Sequence, residues 1–249
     1  MRIESEPGFV LHTIPYRETS LLVDLLTRHH GRVRCVARGF RKPNKKGVTR
    51  ALFPYTEQLF HWQGRGELKT LNRADTVQAP VFLQGESLFI GLYINEVLYK
   101  LLHQYDSHES LYEFYCQLMI QLSAQGLDQA ILRRFEIHLL DELGYGLVLD
   151  AEAESGNPIS AERFYRYIPE HGLRESGEQP TDSNPLLRGA DIIAIARGDF
   201  EQQSAIRTAK RLTRQVIDFY LDGRELNSRE LYRQYLLQAE SEISTGECQ

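Results

Sequence analysis

The sequence predicts an α+β chain of two parts. Residues 1–79 read as a small barrel of about five strands, and residues 80–249 as a mostly α-helical bundle with a small irregular lobe at about 147–185. Three observations predict this. Up to Gln78 the apolar residues come in short, partly alternating runs split by turn formers, which is the pattern of strands. Past Pro80 they recur every three or four residues, which is the period of helices. The charge changes at the same place. Residues 1–78 hold 14 Lys and Arg against 7 Asp and Glu, net +7; residues 79–249 hold 15 against 27, net −12, giving −5 overall.

The strands follow in order. Phe9–Ile14 alternates through Phe9 and Leu11, and Ser20–Thr27 is a run of Leu and Val. Arg32–Ala37 alternates strictly, with Val33, Cys35 and Ala37 on one face and Arg32, Arg34 and Val36 on the other. Leu52–Trp62 and Leu68–Gln78 complete the set. Breaks are expected at Pro15, at His30–Gly31, in the Pro43–Gly47 loop and at Gln63–Gly66. Short strands around one long basic loop suit a closed or nearly closed barrel.

Helices are expected at Glu86–His103, Glu109–Ser123 and Gln129–Leu143. The first is apolar around most of its circumference, so it belongs at the centre of a bundle. Asp128 is placed to cap the third, and Gly144 and Gly146 to stop it. Asp150–Pro185 lacks a period and reads as irregular, with a mobile segment near Gly172–Asn184 and three aromatics at Phe164, Tyr165 and Tyr167. Helices resume at Leu186–Arg197, Ala205–Leu221 and Ser228–Ala239, before a frayed tail.

Several function classes lack their signatures. Cys35, Cys116 and Cys248 are isolated, with neither a metal spacing nor a disulfide framework, and the eight His are scattered. No phosphate loop, dinucleotide fingerprint, nucleophile elbow or HExxH occurs, so no enzyme activity and no cofactor is expected. No apolar run approaches the ~20 residues that cross a bilayer, and the N-terminus has no signal core. A cytoplasmic protein without a membrane partner is expected.

The positive charge concentrates in Arg28–Arg50, which holds nine Lys or Arg and no Asp or Glu. Such a run is either a solvated loop or the footprint of a polyanion. As a nucleic-acid site it has a physical form: cations track phosphates while aromatics stack bases. The candidate residues are Arg32, Arg34, Arg38, Phe40, Arg41, Lys42, Lys45, Lys46 and Arg50. Phe40 is the aromatic expected to be exposed. Tyr55, Phe60 and Trp62 either stack bases or, more commonly for such residues, fill the core. Roughly five phosphate contacts would give a log–log salt slope of about −3.5 on single strands. A second basic cluster, Arg207, Lys210, Arg211 and Arg214, has helical spacing, and Arg133 and Arg134 lie in another helix. These are either ordinary helix-surface charge or the rim of a groove for an acidic peptide.

A combination of segments carries a family resemblance. Tyr16, Glu18 and Ser20, then Gly31–Arg32 and Ala37–Arg38–Gly39, resemble the opening of the RecO family of bacterial DNA repair and recombination mediators. Gly91–Leu102, Leu132–Gly146, Ala209–Ile217 and Ser228–Leu236 resemble its later segments, in the same order. The resemblance implies that the barrel is an OB-fold, followed by a helical bundle and a further lobe. It implies binding of single- and double-stranded DNA, strand annealing, work with RecR, and loading of RecA onto strands covered by single-stranded DNA-binding protein (SSB). It makes Arg133, Arg134, Lys210 and Arg214 candidates for the acidic tail of SSB. The chain departs from many relatives in one respect: Glu152 and Ser155 stand where a C-x2-C pair of a zinc site would be, so no structural zinc is expected. Two other readings compete: an adaptor that bridges proteins without touching DNA, and an RNA-binding OB protein.

Overall fold

A computed structural model describes residues 2–42, 51–126, 128–181 and 185–246, with side chains through Gln238. Its strands are β1 (Arg2–Tyr16), β2 (Ser20–Thr27), β3 (Gly31–Ala37), β4 (Gln58–Gln63), β5 (Lys69–Thr76), β6 (Phe164–Ile168), β7 (Gly172–Ser176) and β8 (Leu187–Arg188). Its helices are α1 (Gly85–Leu101), α2 (Glu109–Gln125), α3 (Gln129–Glu142), α4 (Gly189–Ala196), α5 (Gln203–Leu221) and α6 (Asn227–Gly246). The first five strands close into a barrel in the order β1-β2-β3-β5-β4. Only the β3–β5 pairing is parallel. This closed five-stranded order is consistent with an OB-fold.

β1 serves two neighbours, pairing with β4 through its first half and β2 through its second. It bends to do so, with register shifts at Ile3/Glu6 and Val10/His12. Pro15 does not break the chain as expected. It lies within β1 opposite Leu21, where β1 has only one partner strand, so a missing N–H costs no second ladder bond. The barrel core holds Val10, Val23, Leu25, Val33, Cys35, Phe60, Trp62 and Leu71, all buried. The turn into β3 requires glycine: Gly31 has φ +64°, and a Cβ there would stand 1.9 Å from the Asp106 carbonyl oxygen.

The chain forms two compact units, residues 1–127 with 225–249, and residues 128–224. Compactness therefore does not divide the chain at Pro80. In the first unit α1, α2 and α6 accompany the barrel. Asn95 of α1 donates to the Val10 carbonyl at 3.2 Å and accepts from the Tyr115 hydroxyl of α2 at 2.6 Å. Phe9 packs against Tyr112 and Tyr115, with ring centroids 5.5 and 4.8 Å apart.

α6 is tied to α1 by one carboxylate. Glu96 accepts from the backbone N–H groups of Asn227 and Ser228 at 3.0 and 2.9 Å, and from the Ser228 hydroxyl at 2.7 Å. It thus caps α6 from a different helix. Burial pushes its carboxyl up, but the bonds from Ser228, Lys100 and Asn227 outweigh this and hold it below its ordinary value. A depressed carboxyl contributes stability above its unfolded-state pKa and loses it as pH falls through its folded-state pKa. Glu96→Gln is expected to cost about 1 kcal/mol at pH 7, the usual loss for a cap. The deficit should shrink on acidification, read by urea unfolding at several pH values. An equal deficit at all pH values would contradict the assignment.

The second unit opens with α3, whose N-terminus is capped as expected: Asp128 accepts from the Ala130 N–H at 2.8 Å. The lobe is more regular than expected, because β6, β7 and β8 form a sheet ordered β7-β6-β8. Gly172–Ser176, read as part of a mobile segment, is strand β7, paired along its length with β6. Its charged, weakly apolar sequence hides a strand whose single inward anchor is Leu173, fully buried. Asp182–Asn184 lie outside the described residues. Tyr165 is buried and its phenol oxygen accepts from the Ser160 N–H at 2.9 Å. Where a C-x2-C pair would stand, the chain is closed by hydrogen bonds. Glu152 accepts from the Ser155 N–H at 2.6 Å and donates its own N–H to Asn157 at 2.8 Å.

Candidate nucleic-acid interface

The basic segment divides into two groups with different environments. Arg32 and Arg34 project from β3 on one face, as their alternation predicts, but both meet Asp24 on the neighbouring β2. Asp24 is 1% exposed and lies 2.9 Å from Arg32 Nη1 and 3.0 Å from Arg34 Nη2. Arg32 Nε also donates to the Leu102 carbonyl at 3.0 Å, and Arg34 to the Tyr99 hydroxyl at 3.0 Å. Both guanidinium groups lie over the Tyr99 ring, at 5.5 and 5.8 Å from its centroid. The hydrogen bond to Asp24 raises the Arg34 pKa, against the opposing effect of burial. These two arginines fasten the barrel to α1.

Arg38, Arg41 and Lys42 are exposed, on the turn that follows β3. Gly39 takes φ +72° at its apex, and the Arg41 N–H donates to the Thr19 carbonyl at 3.1 Å. The Arg41 guanidinium reaches the Arg17 carbonyl at 3.3 Å. The turn after β3 therefore rests on the β1–β2 turn. This adds Arg17, exposed at φ +53° and lying over the half-buried Tyr16 ring at 5.2 Å, to the same rim. Sequence reading passed over Arg17. No local sequence pattern marked it; it is the pairings Pro15↔Leu21 and Leu21↔Ala37 that put the ends of β1 and β3 at one end of the barrel. Lys45, Lys46 and Arg50 lie outside the described residues.

Phe40 corrects the expectation of exposure. It is 3% exposed and belongs to the barrel core, because the chain folds back under the barrel end after Gly39. Tyr55, Phe60 and Trp62 are buried too. Of the aromatics weighed for stacking, none offers a face, and Tyr16 is the half-buried ring at the basic rim.

The helical candidates also separate. Arg133 is 4% exposed and pairs with Glu136 at 2.8 Å, while the Thr213 hydroxyl donates to the same carboxylate at 2.5 Å. Arg133 is thus part of a buried network joining α3 to α5, contrary to its expected place on a docking surface. It lies beside Leu132, at one margin of the buried face formed with Phe135, Glu136, Leu139 and Leu140. Arg134 is exposed, donates to the Gly198 carbonyl at 3.2 Å and lies 5.4 Å over the Phe200 ring. Lys210 and Arg214 are exposed on α5, with Arg214 3.7 Å from Asp218. The opposite face of α5 is buried through Ala209, Leu212, Val216 and Ile217.

Residues 1–80 match the family model for the N terminal of recombination protein O, and residues 83–230 match that for its C terminal. The chain belongs to the RecO family. It is 41% identical over 236 residues to the DNA repair protein RecO of Aromatoleum aromaticum, covering 94% of this chain and 96% of that one. It is likewise 41% identical to the DNA repair protein RecO of Stutzerimonas stutzeri, over 91% of this chain and 92% of that one, and of Serratia proteamaculans, over 93% and 94%. Membership in RecO places the chain among DNA repair proteins, with its OB barrel in the N-terminal family segment. None of the described helices is long and apolar enough to cross a membrane. Among the described residues no cluster of three or more His, Cys, Asp or Glu could hold a metal ion.

Proposed function

We propose that this chain binds single- and double-stranded DNA at the barrel rim, anneals complementary strands, and with RecR helps load RecA onto SSB-coated DNA, without covalent turnover. The observation that carries the reading is the convergence of Arg17, Arg38, Arg41 and Lys42 on one end of an OB barrel in a RecO-family chain. The loop between β1 and β2 is one that OB-folds use for oligonucleotides. Roughly five phosphate contacts, from these cations and Lys45, Lys46 or Arg50, predict a salt slope of about −3.5 on single-stranded DNA. A salt titration against matched DNA and RNA strands tests it. A slope near zero would favour the protein-bridging adaptor, and a preference for RNA the RNA-binding reading.

The same reading includes docking of the acidic SSB tail on the second unit, supported by the exposed cations Arg134, Lys210 and Arg214. Calorimetry with a peptide of the SSB C-terminus is expected to show binding that Lys210→Ala weakens about threefold to tenfold, in line with one partly exposed charged contact. Arg133→Ala is unsuited to this test, because it removes one partner of a buried ion pair and lowers stability first. Absence of binding to the parent chain would reject the docking.

A further inference from the structure

The second unit contains a cleft of about 480 Å³ that includes none of these basic residues. Tyr145, Tyr167 and Tyr220 wall it, with Glu170 at the β6–β7 turn. Tyr145 and Tyr220 stack face to face at 3.6 Å between centroids and 10° between planes, so each ring covers one face of the other and the flat aromatic wall is an outer face of the pair. Phe219 meets Tyr220 edge-on at 5.2 Å and is 47% exposed, and Val148 in the lining is 60% exposed. These give the cleft an apolar lip.

Glu152, also in the lining, is spent on the Ser155 N–H, but four other polar side chains of the cleft are not. The Glu170 carboxylate makes no ion pair or hydrogen bond among the described residues, and neither do the hydroxyls of Tyr145, Tyr167 and Tyr220. Glu170 is held at φ +64°, a strained conformation for a residue other than glycine, at the tip of a hairpin closed by the His171 N–H on the Ile168 carbonyl. Its charge reaches Tyr220: burial, then Glu170 and Tyr145, push that phenol up. No Lys or Arg lines the cleft, and the one basic ring, His171, has its Nδ1 3.1 Å from the Pro169 carbonyl.

We propose that this cleft receives an arginine side chain presented by a protein partner. A guanidinium is planar and weakly hydrated, so it can stack on the Tyr145–Tyr220 surface while its fork meets the Glu170 carboxylate. A lysine ammonium would use the charge but not the flat face. An anion would meet the carboxylates of Glu152 and Glu170 with no Lys or Arg to hold it. The exposed Val148 and Phe219 suit the residues flanking an arginine in a peptide, which a free amino acid lacks. The inference is independent of the DNA and SSB readings and would survive their failure.

The probe is the capped tripeptide acetyl-Gly-Arg-Gly-amide, with citrulline in place of Arg as an uncharged control of the same shape. Titrated into the isotope-labelled full chain, the Arg peptide is expected to shift the amide signals of Gly144, Gly146 and Gly172, which line the cleft. The citrulline peptide should bind at least about tenfold more weakly. Glu170→Gln, at an exposed turn position with the same backbone demand, should reduce Arg-peptide binding to the citrulline level with the melting temperature unchanged. Equal binding of both peptides, or an unaffected Glu170→Gln variant, would overturn the proposal. Sedimentation equilibrium separates the occupants: self-association abolished by Glu170→Gln would assign the cleft to a second copy of this chain and overturn the partner assignment.

Discussion

Reversing Arg38, Arg41, Lys42 and Lys45 together to Glu is expected to weaken single-stranded DNA binding by more than about 100-fold near 0.1 M salt and to abolish strand annealing. With a slope of about −0.7 per phosphate contact, each contact is worth about fivefold at that salt, so four amount to several hundredfold. The log–log slope should fall from about −3.5 toward about −0.7 at the same time. The fold should tolerate the change. Arg38 and Lys42 are exposed, and Arg41 spends its guanidinium on one carbonyl at the surface. Filter binding and annealing of fluorescent strands read the two losses. Unchanged affinity and annealing in a folded variant would remove the rim from the proposed function.

The opposite behaviour is expected at the buried acid between Arg32 and Arg34. Asp24→Ala leaves two guanidinium groups facing a partner that is gone, one of them with a side chain only 13% exposed. Breaking a buried pair on one side costs about 3–5 kcal/mol, far more than the pair adds over an apolar replacement. Urea unfolding should show a lower midpoint with little change in slope against denaturant. Arg34→Ala sharpens the distinction. If Arg34 fastens α1, its loss lowers stability and leaves the salt slope of DNA binding intact. A slope reduced by about 0.7 at unchanged stability would return Arg34 to the DNA contacts.

The two arginine pairs show where sequence reading reached its limit. Alternation placed Arg32 and Arg34 on a common face, and they are there. Their neutralisation depends on the β2–β3 register, which sets Asp24 directly opposite Arg34. Charge counts over a segment cannot contain that information. Phe40 fails for a related reason: a residue beside a Gly-permitted turn points inward or outward according to how the chain re-enters the barrel. Arg133 lies one position from the Leu132–Phe135–Leu139 stripe and pairs with Glu136 one turn on, whose carboxylate also takes the hydroxyl of Thr213 on a helix far along the chain. What local periodicity controls was legible: the number of barrel strands, the helices, the Asp128 cap and the apolar face of α5, although β1 begins at Arg2 rather than Phe9 and the Leu52–Trp62 run is strand only from Gln58. What depended on pairing between distant elements was not, and β7 and Arg17 belong to that group.

The Glu96 clasp has a consequence for the order in which the molecule is made. Its two sides, Glu96 and Ser228, are 132 residues apart, and the unit bearing the barrel is interrupted in sequence by the whole of the other unit. On the ribosome the interrupting unit emerges as one continuous stretch and is available to fold before α6 exists. Once folded, it replaces a long loose loop by a compact body between two fixed ends, which lowers the chain entropy lost when α6 docks. A lesion that unfolds residues 128–224 therefore reaches the barrel without touching it, by making its last helix harder to bring home.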